Sequence, residues 1–308
     1  MAKKKKAVKD PNFVERSIYF YKVVFLPEEP TPSIDWPRLC ERISGLSAAN
    51  KYWTDRFGNE TSCWIDSSNP VKIRYGSIRR RGLPQVERLG NLSPLGIPPD
   101  SSLVDMIHVR VFQEGDTAIV GSDFNFHGPR MSRLAHYLNE KDNSIPTFGF
   151  QPILKQDAVE RLERLDGLRL FRLRINKTFV DAVKRANESL GASFEAQAEL
   201  GDADEIEVVL TVKRYSRSTF LSRTLQTITR RLLGNRDLPG NATAFEVAGF
   251  NATEDKSETI DLLSANFVVK KDFIKESEKS RALKPRAAFT SIEDAYNELR
   301  DELVSSIR

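Results

Sequence analysis

A break in the sequence pattern at residues 143–152 most constrains what this chain can fold into. Asn, Ser, Pro and Gly concentrate there, and the spacing of apolar residues changes on either side. A chain of 308 residues is longer than a typical single domain. The break therefore indicates two domains of about 150 residues each. The sequence therefore predicts an N-terminal domain over residues 13–145 and a C-terminal domain over residues 152–308.

The predicted elements alternate between strands and helices in both halves. Runs of β-branched and aromatic residues predict strands, and apolar residues at helical spacing predict helices. Strands are expected at residues 17–26, 63–78, 108–112, 117–126, 168–175, 206–213, 245–250 and 260–269. Helices are expected after an N-cap at Ser33 and over residues 128–139, 177–190, 218–233 and 291–307. This order predicts an α+β (mixed α/β) fold, in which each domain is a β-sheet covered by helices.

Apolar patterning and cysteine usage narrow the class of protein. Apolar runs such as residues 23–26 and 267–269 fall far short of the roughly 20 residues that a membrane span needs, so no membrane insertion is expected. The basic opening at residues 1–6 has no apolar core after it and predicts a disordered tail over residues 1–12 rather than a secretory signal. Cys40 and Cys63 form no disulfide framework or metal motif, which favours a cytoplasmic location.

The most biased stretch is residues 213–236, which contains no acidic residue. Its seven basic residues are Lys213, Arg214, Arg217, Arg223, Arg230, Arg231 and Arg236. In a chain with 47 basic and 43 acidic residues, such segregation favours a face for an anionic partner, most simply the phosphates of DNA or RNA. Arg172 and Arg174 alternate with apolar residues on a predicted strand and add to this candidate nucleic-acid-binding set. The alternatives are a solvated basic surface or a face that binds an acidic protein partner.

A second candidate lies where a predicted strand meets a predicted helix, at Asp123, Asn125, His127 and Arg130. Asp123, Asn125 and His127 alternate on one face, and His136 follows on the helix, so two imidazole nitrogens and a carboxylate would come together at a metal site, although the closely spaced histidine pairs of typical metal motifs are missing. The helix start and Arg130 would instead suit a phosphate or carboxylate. These residues are the weak catalytic candidates of a nuclease or nucleotide-processing enzyme. The alternative is a tight turn with local pairing.

A third candidate is acidic and precedes Lys213. It comprises Asp202, Asp204, Glu205 and Glu207. Converging carboxylates of this kind hold Mg²⁺ in metal-dependent nucleases, although a solvated acidic loop gives the same pattern. No specific catalytic, cofactor or metal-ligand motif occurs, so neither a cofactor nor a bound metal is expected.

Several short segments resemble an uncharacterised bacterial family of similar length. They are YGSIR at 75–79, LP at 83–84, SLVDMIH at 102–108 and NFHGPR at 125–130. In layout, the late TIDLL at 259–263 and the closing helix with Tyr296 are similar to the DNA-binding subunit of the Kiwa anti-phage system. The resemblance implies a cytoplasmic bacterial protein that contacts nucleic acid, from a defence or mobile-element locus, and it implies no catalysis.

The leading hypothesis is therefore a non-enzymatic protein that binds nucleic acid in bacterial phage defence. The patterns leave open an enzyme centred on Asp123, Asn125, His127 and Arg130, and a subunit that binds an acidic protein. They also leave open whether the chain forms a homo-oligomer or joins a partner protein of a defence system.

Overall fold

The computed structural model describes residues 10–25, 33–55, 58–201, 205–212, 220–235, 238, 242–251, 256–263 and 266–307. Within these residues the fold is mixed α+β, as the sequence predicts. The strands are β1 Phe13–Phe25, β2 Tyr52–Thr54, β3 Glu60–Ser68, β4 Val71–Arg79, β5 Gln85–Arg88, β6 Asn91–Pro94, β7 Leu103–Glu114, β8 Thr117–Asp123, β9 Phe148–Pro152, β10 Gly167–Asn176, β11 Glu205–Thr211, β12 Ala242–Asn251, β13 Lys256–Asp261 and β14 Val268–Ile274. The helices are α1 Trp36–Gly45, α2 Met131–Lys141, α3 Gln156–Glu163, α4 Val180–Ala186, α5 Glu188–Ala198, α6 Thr224–Leu233 and α7 Pro285–Ile307.

The larger sheet contains the path β14-β1-β8-β7-β4-β3-β2. Its β7–β8 hairpin is the one that the sequence predicts, and Gly115 supplies the positive φ of 61° in the turn. Buried residues alternate along β4, where Ile73 and Tyr75 are inaccessible, so one face of the sheet carries a core. Helix α1 packs against β3 and β4, and the ring of Tyr75 lies 5.8 Å from that of Tyr137 in α2.

The smaller sheet has the order β11-β10-β12-β13 and is antiparallel throughout. Phe171, Leu173 and Ile175 of β10 are buried in a core to which α4, α5 and α6 contribute. Arg172 and Arg174 alternate with them and lie on the opposite face of the sheet. The predicted sharing of one strand face by these two arginines is therefore confirmed.

Several predicted elements differ from the structure. The expected strand over residues 63–78 is two strands, β3 and β4, and the expected helix over residues 218–233 is the shorter α6, which begins at Thr224. The expected helix over residues 177–190 is interrupted at Asn187, whose backbone is extended (φ −160°, ψ 122°) and whose side chain accepts a hydrogen bond from the Leu190 N–H (2.8 Å) to begin α5. The expected strand over residues 260–269 is two strands, β13 and β14, in different sheets. Helix α1 is capped by Asp35, which accepts from the Arg38 N–H, and not by Ser33.

Helix α7 also begins earlier than the sequence indicates. It starts at Pro285, so the Ser291 and Asp294 that suggest a cap lie inside the helix. Proline suits a first helical position because its missing N–H would have no partner there. None of the helices within the described residues has the length and apolar character needed to cross a membrane.

The chain divides into two compact units. The first comprises residues 1–19, 25–149 and 269–299, and the second comprises residues 20–24, 150–268 and 300–308. The units are discontinuous in sequence, because β14 and most of α7 belong with the first half of the chain. The sequential domains at 13–145 and 152–308, and the independence of either as a folding domain, stay predictions.

Candidate nucleic-acid interface

The candidate interface is the exposed side of α6 in the second unit. Five residues of this helix face the core: Leu225, Ile228, Thr229, Leu232 and Leu233. Arg223 immediately precedes the helix, and Arg223, Thr227, Arg230 and Arg231 are all exposed. Their spacing of i, i+4, i+7 and i+8 places them along one stripe. The predicted separation of an apolar and a basic side is therefore present in α6.

Hydrogen bonds from α6, and from the segment just before it, to nearby residues of the second unit fix the orientation of this helix. The Gln226 side chain donates to the carbonyl oxygen of Leu165 (2.8 Å), and the Leu221 N–H donates to that of Leu168 (2.7 Å). The hydroxyl of buried Thr229 donates to the Leu225 carbonyl one turn earlier (2.6 Å), so its polar atom has a partner. The arginine stripe is consequently carried by a helix whose rotation is set by its core contacts.

The three described arginines of this stripe differ in their partners. Arg230 lies 3.5 Å from Glu163, and both side chains are more than half exposed, so the pair is worth little. Arg231 donates to the carbonyl oxygen of Ala186 (3.3 Å), the last residue of α4, where unpaired helix carbonyls attract a cation. For the Arg223 side chain, no partner is found among the residues that the structure describes. Most guanidinium donors of the stripe thus remain directed to solvent.

An exposed arginine that sequence reasoning missed lies on α4, the helix that packs against α6. Arg185 of α4 precedes Ala186, the residue whose carbonyl Arg231 binds, and its side chain is exposed. The signal in the sequence is a single Lys184-Arg185 pair, which is too common to indicate a site. Only the packing of α4 against α6 brings the helix that carries Arg185 to the helix that carries the stripe.

The other basic candidates divide into two groups. Lys213, Arg214, Arg217 and Arg236 lie outside the described residues. Arg172 and Arg174 form ion pairs across the small sheet: Arg172 contacts Glu207 (2.6 Å) and Glu246 (3.1 Å), and Arg174 contacts Glu207 (3.2 Å). The hydrogen bonds that Glu207 accepts from Arg172 and Arg174 lower the pKa of Glu207, and the hydrogen bonds that Arg172 donates to Glu207 and Glu246 raise the pKa of Arg172.

These ion pairs involve residues of both strand candidates. Glu207 is a candidate magnesium ligand and Arg172 and Arg174 are candidate phosphate contacts, yet the antiparallel register pairs Arg174 with Glu207 and Arg172 with Glu246. Glu205 is at the start of β11, whereas Asp202 and Asp204 lie outside the described residues. The β10–β11 face is balanced in charge and is a poor attractor for polyanions.

Asp123 is a buried structural carboxylate at the end of β8. It accepts hydrogen bonds from the His108 backbone N–H (2.5 Å) and from Arg16 of β1 (2.5 Å), and the His108 Nδ1 lies 3.2 Å away. Backbone pairing between β7 and β8 ends at Val109 and Ser122. The next N–H of β7, that of His108, is hydrogen-bonded to the Asp123 carboxylate instead. Burial alone would raise the pKa of Asp123, but His108 and Arg16 together lower it.

The residues after Asp123 form a closed turn. The Asn125 side chain accepts from the His127 N–H (3.2 Å) and donates to the Met106 carbonyl (2.9 Å). Arg130 donates to the carbonyl oxygens of Asn125 (3.1 Å), Gly128 (3.3 Å) and Phe126 (3.3 Å) and covers the Phe124 ring at 4.9 Å. The guanidinium donors of Arg130 are therefore bonded to backbone carbonyl oxygens and not directed towards a ligand site.

Asp123, His127 and His136, which would form the alternative metal site, do not lie together. Asp123 faces His108 and Arg16, His127 is exposed beside Phe126, and His136 stacks on Trp53 with ring centroids 6.4 Å apart. In the described ranges, no group of three or more His, Cys, Asp or Glu residues is placed to hold a metal ion.

Comparisons with known proteins assign no family to this chain. No protein-family model matches the chain, and no match is found among curated proteins. The function must therefore be argued from the residues themselves.

Proposed function

We propose that this protein binds nucleic acid through the arginine stripe of α6, without chemistry on the bound strand. The observation that carries the proposal is the placement of Arg223, Arg230 and Arg231 on one exposed side of a helix whose other side is in the core. Arginine suits this role because it stays charged and its planar fork donates two hydrogen bonds to one phosphate.

The length of the stripe fits a nucleic-acid strand. Seven positions separate Arg223 from Arg230, which is about 10 Å along a helix axis. Three nucleotides of a B-form strand cover about the same distance, so a single strand can reach both ends. Thr224 and Thr227 are exposed between the arginines and can donate hydroxyl hydrogen bonds to phosphate oxygens. Contacts of this kind give affinity and little sequence specificity.

The remaining basic residues of 213–236 are included in the proposed interface only because they are positively charged. Lys213, Arg214 and Arg217 precede the helix and Arg236 follows it, with no acidic residue between them. We leave Arg172 and Arg174 out of the interface because Glu207 and Glu246 already neutralise them. Because Asp123, Asn125 and Arg130 hold the β8–α2 junction together, we propose no reaction there. A role in bacterial phage defence rests on the resemblance alone, and a cytoplasmic location rests on the resemblance and on the cysteine usage.

The test is a salt titration of binding, followed by fluorescence anisotropy with labelled single-stranded DNA, double-stranded DNA and RNA. The variant R223E/R230E/R231E should lose at least about tenfold in affinity, and its slope of log K against log salt should fall by about one unit for each lost phosphate contact. The control R38E/R88E/R286E reverses three exposed arginines of the first unit, so it makes the same change in net charge.

The two variants separate a local interface from an effect of overall charge. The proposal expects the control to keep most of the wild-type affinity and slope. Equal losses in both variants, or unchanged binding in R223E/R230E/R231E, would refute the α6 interface. A gel run on the same samples with Mg²⁺ would show cleavage, which would contradict the absence of chemistry.

A further inference from the structure

The first unit contains a cleft that the proposed function does not use. Its volume is about 580 Å³, which is within the range of roughly 300–1,000 Å³ that is typical of small-molecule sites. Four segments line it: the start of α1, the turn between β3 and β4, the end of β7, and one side of α7. None of the α6 arginines belongs to it, so any ligand here is a separate one.

Arg110 is the unusual group in this cleft. It is only 8% exposed, and one of its terminal nitrogens donates to the carbonyl oxygens of Val111 (2.7 Å) and Val71 (3.3 Å). Its Nε is buried and has no acceptor within the described residues. Its nearest carboxylate, that of Glu293, is 3.9 Å from Nη2, which is too far for a hydrogen bond. The Phe112 ring, 4.9 Å from the guanidinium carbon, gives partial compensation.

A buried guanidinium without a bonded carboxylate is costly. Desolvation lowers the pKa of Arg110, and Glu293 opposes this effect only in part. A cation kept in such a position is suited to an anionic group that enters the cleft. Glu293 lies beside this guanidinium without a hydrogen bond to it.

The cleft is not simply an anion site, since carboxylates also line it. Glu293 is about half exposed on α7, at 46% for its side chain. Asp35 accepts from the Arg38 N–H as the cap of α1, and Glu114 pairs with the Tyr296 hydroxyl. Glu293 is thus the carboxylate that is free to bind a cation in place of its long contact with Arg110. A phosphate or nucleotide would add negative charge beside these acids.

Apolar surface completes the cleft. The rings of Phe112 and Tyr296 are stacked with centroids 3.7 Å apart and planes 7° from parallel, and Trp36 lies at the start of α1. These aromatic walls are fixed by packing and can receive an apolar side chain without rearrangement.

We propose that this cleft binds a free α-amino acid. The carboxylate of the ligand would bond to Arg110 and its ammonium to Glu293, so that each protein charge gains an opposite partner. The 3.9 Å between Arg110 Nη2 and Glu293 Oε1 suits this arrangement, because the two charged groups of an α-amino acid lie side by side on one carbon. The aromatic wall then faces the side chain of the ligand.

The test is isothermal titration calorimetry of the full chain with each of the common amino acids. At least one should bind, and its methyl ester and its analogue without the amino group should each bind about tenfold more weakly or worse, since each loses one charged contact. E293Q should weaken binding to a similar degree, whereas D294N, an exposed neighbour outside the cleft, should not. R223E/R230E/R231E should bind the amino acid as wild type does.

Two results would overturn this site. One is that none of the common amino acids gives measurable heat or raises the melting temperature of the protein. The other is that the ester, the deaminated analogue and E293Q all behave as the parent amino acid and wild type do. E293Q alters a half-exposed side chain that forms no short ion pair, so the variant should fold and the comparison should stand.

Discussion

Arg172 of β10 and Glu207 of β11 form an ion pair across the small sheet, with Nε and Oε1 2.6 Å apart. Glu207 also holds Arg174, and Glu246 of β12 holds Arg172 from the other side. The polar face of this sheet is therefore a network of alternating charges. The arginines of the α6 stripe, in contrast, direct most of their donors to solvent.

The ion-pair network predicts that the β10 arginines contribute little to nucleic-acid binding. R172A/R174A should retain affinity within about twofold of wild type, because both guanidinium groups are already neutralised by carboxylates. The measurement is the same anisotropy titration at low salt that tests R223E/R230E/R231E. A loss in R172A/R174A as large as in the α6 variant would show that the strand face, and not the helix, meets the polyanion.

The carboxylate of Asp123 predicts a specific dependence on pH. Its pKa is lower in the folded protein than in the unfolded chain, so it stabilises the fold above its unfolded pKa, and this stabilisation is lost as the pH falls through the folded pKa. D123N should cost about 3 kcal/mol of unfolding free energy at neutral pH, because it leaves Arg16 without its buried partner.

Urea unfolding at several pH values checks this prediction. The difference in unfolding free energy between wild type and D123N should shrink as the pH is lowered below about 4, where the carboxyl is protonated in the unfolded chain. A difference that is constant with pH would mean that the charge of Asp123 is not what stabilises the β7–β8 end.

Close packing between α4 and α5 predicts a cost for any side chain at Gly191. A Cβ there would overlap the backbone of Lys184, including its N at 2.8 Å. G191A should therefore lower the unfolding free energy by about 2 kcal/mol. G45A is the control, since a Cβ at Gly45 meets nothing within 4 Å and alanine favours the last turn of α1. Thermal melting of both variants measures the contrast, and equal melting temperatures would contradict it.

The β5–β6 hairpin predicts a stabilising substitution. Leu89 is 91% exposed and has a φ of 52°, in the left-handed region that Asn tolerates better than Leu. L89N should stabilise the closed hairpin by up to about 1 kcal/mol. Since β5 and β6 pair only with each other among the described strands, the effect should appear as slower hydrogen exchange of amides in residues 85–94.

L92N provides the matched comparison in the same hairpin. Leu92 is also exposed, at 67%, but its backbone is not left-handed. This variant should not slow exchange. If L89N and L92N change exchange alike, the backbone conformation of Leu89 is not the cause.

Burial predicts that both cysteines are unreactive in the folded protein. Desolvation raises the pKa of Cys40 to about 12 and that of Cys63 well above its ordinary value, and the thiolate is the reactive form. Maleimide at pH 8 should label neither thiol in the native protein and both in concentrated urea. Labelling of the native protein at the rate of the unfolded one would show that these sites open readily.

Part of the candidate site could be predicted from the sequence. The spacing of Leu225, Ile228 and Leu232 fixes the buried side of α6 and hence the exposed position of Arg223, Arg230 and Arg231, since periodicity alone decides which residues share a face. The same argument places Arg172 and Arg174 together on β10. It does not reveal that Glu207 and Glu246 face them, because strand register joins residues 35 and 74 positions apart.

The sequence by itself determined the mixed α+β class, most of the strands and helices, and the amphipathic character of α6, because these follow from local periodicity and turn residues. Tertiary structure decided which charged side chains are paired within the protein and which can bind a ligand. It paired Arg172 with Glu207, enclosed Asp123 between Arg16 and His108, and brought Arg110 opposite Glu293. The physical reason is that a charge interacts with whatever the fold places within a few ångströms of it, and those neighbours are distant in the chain.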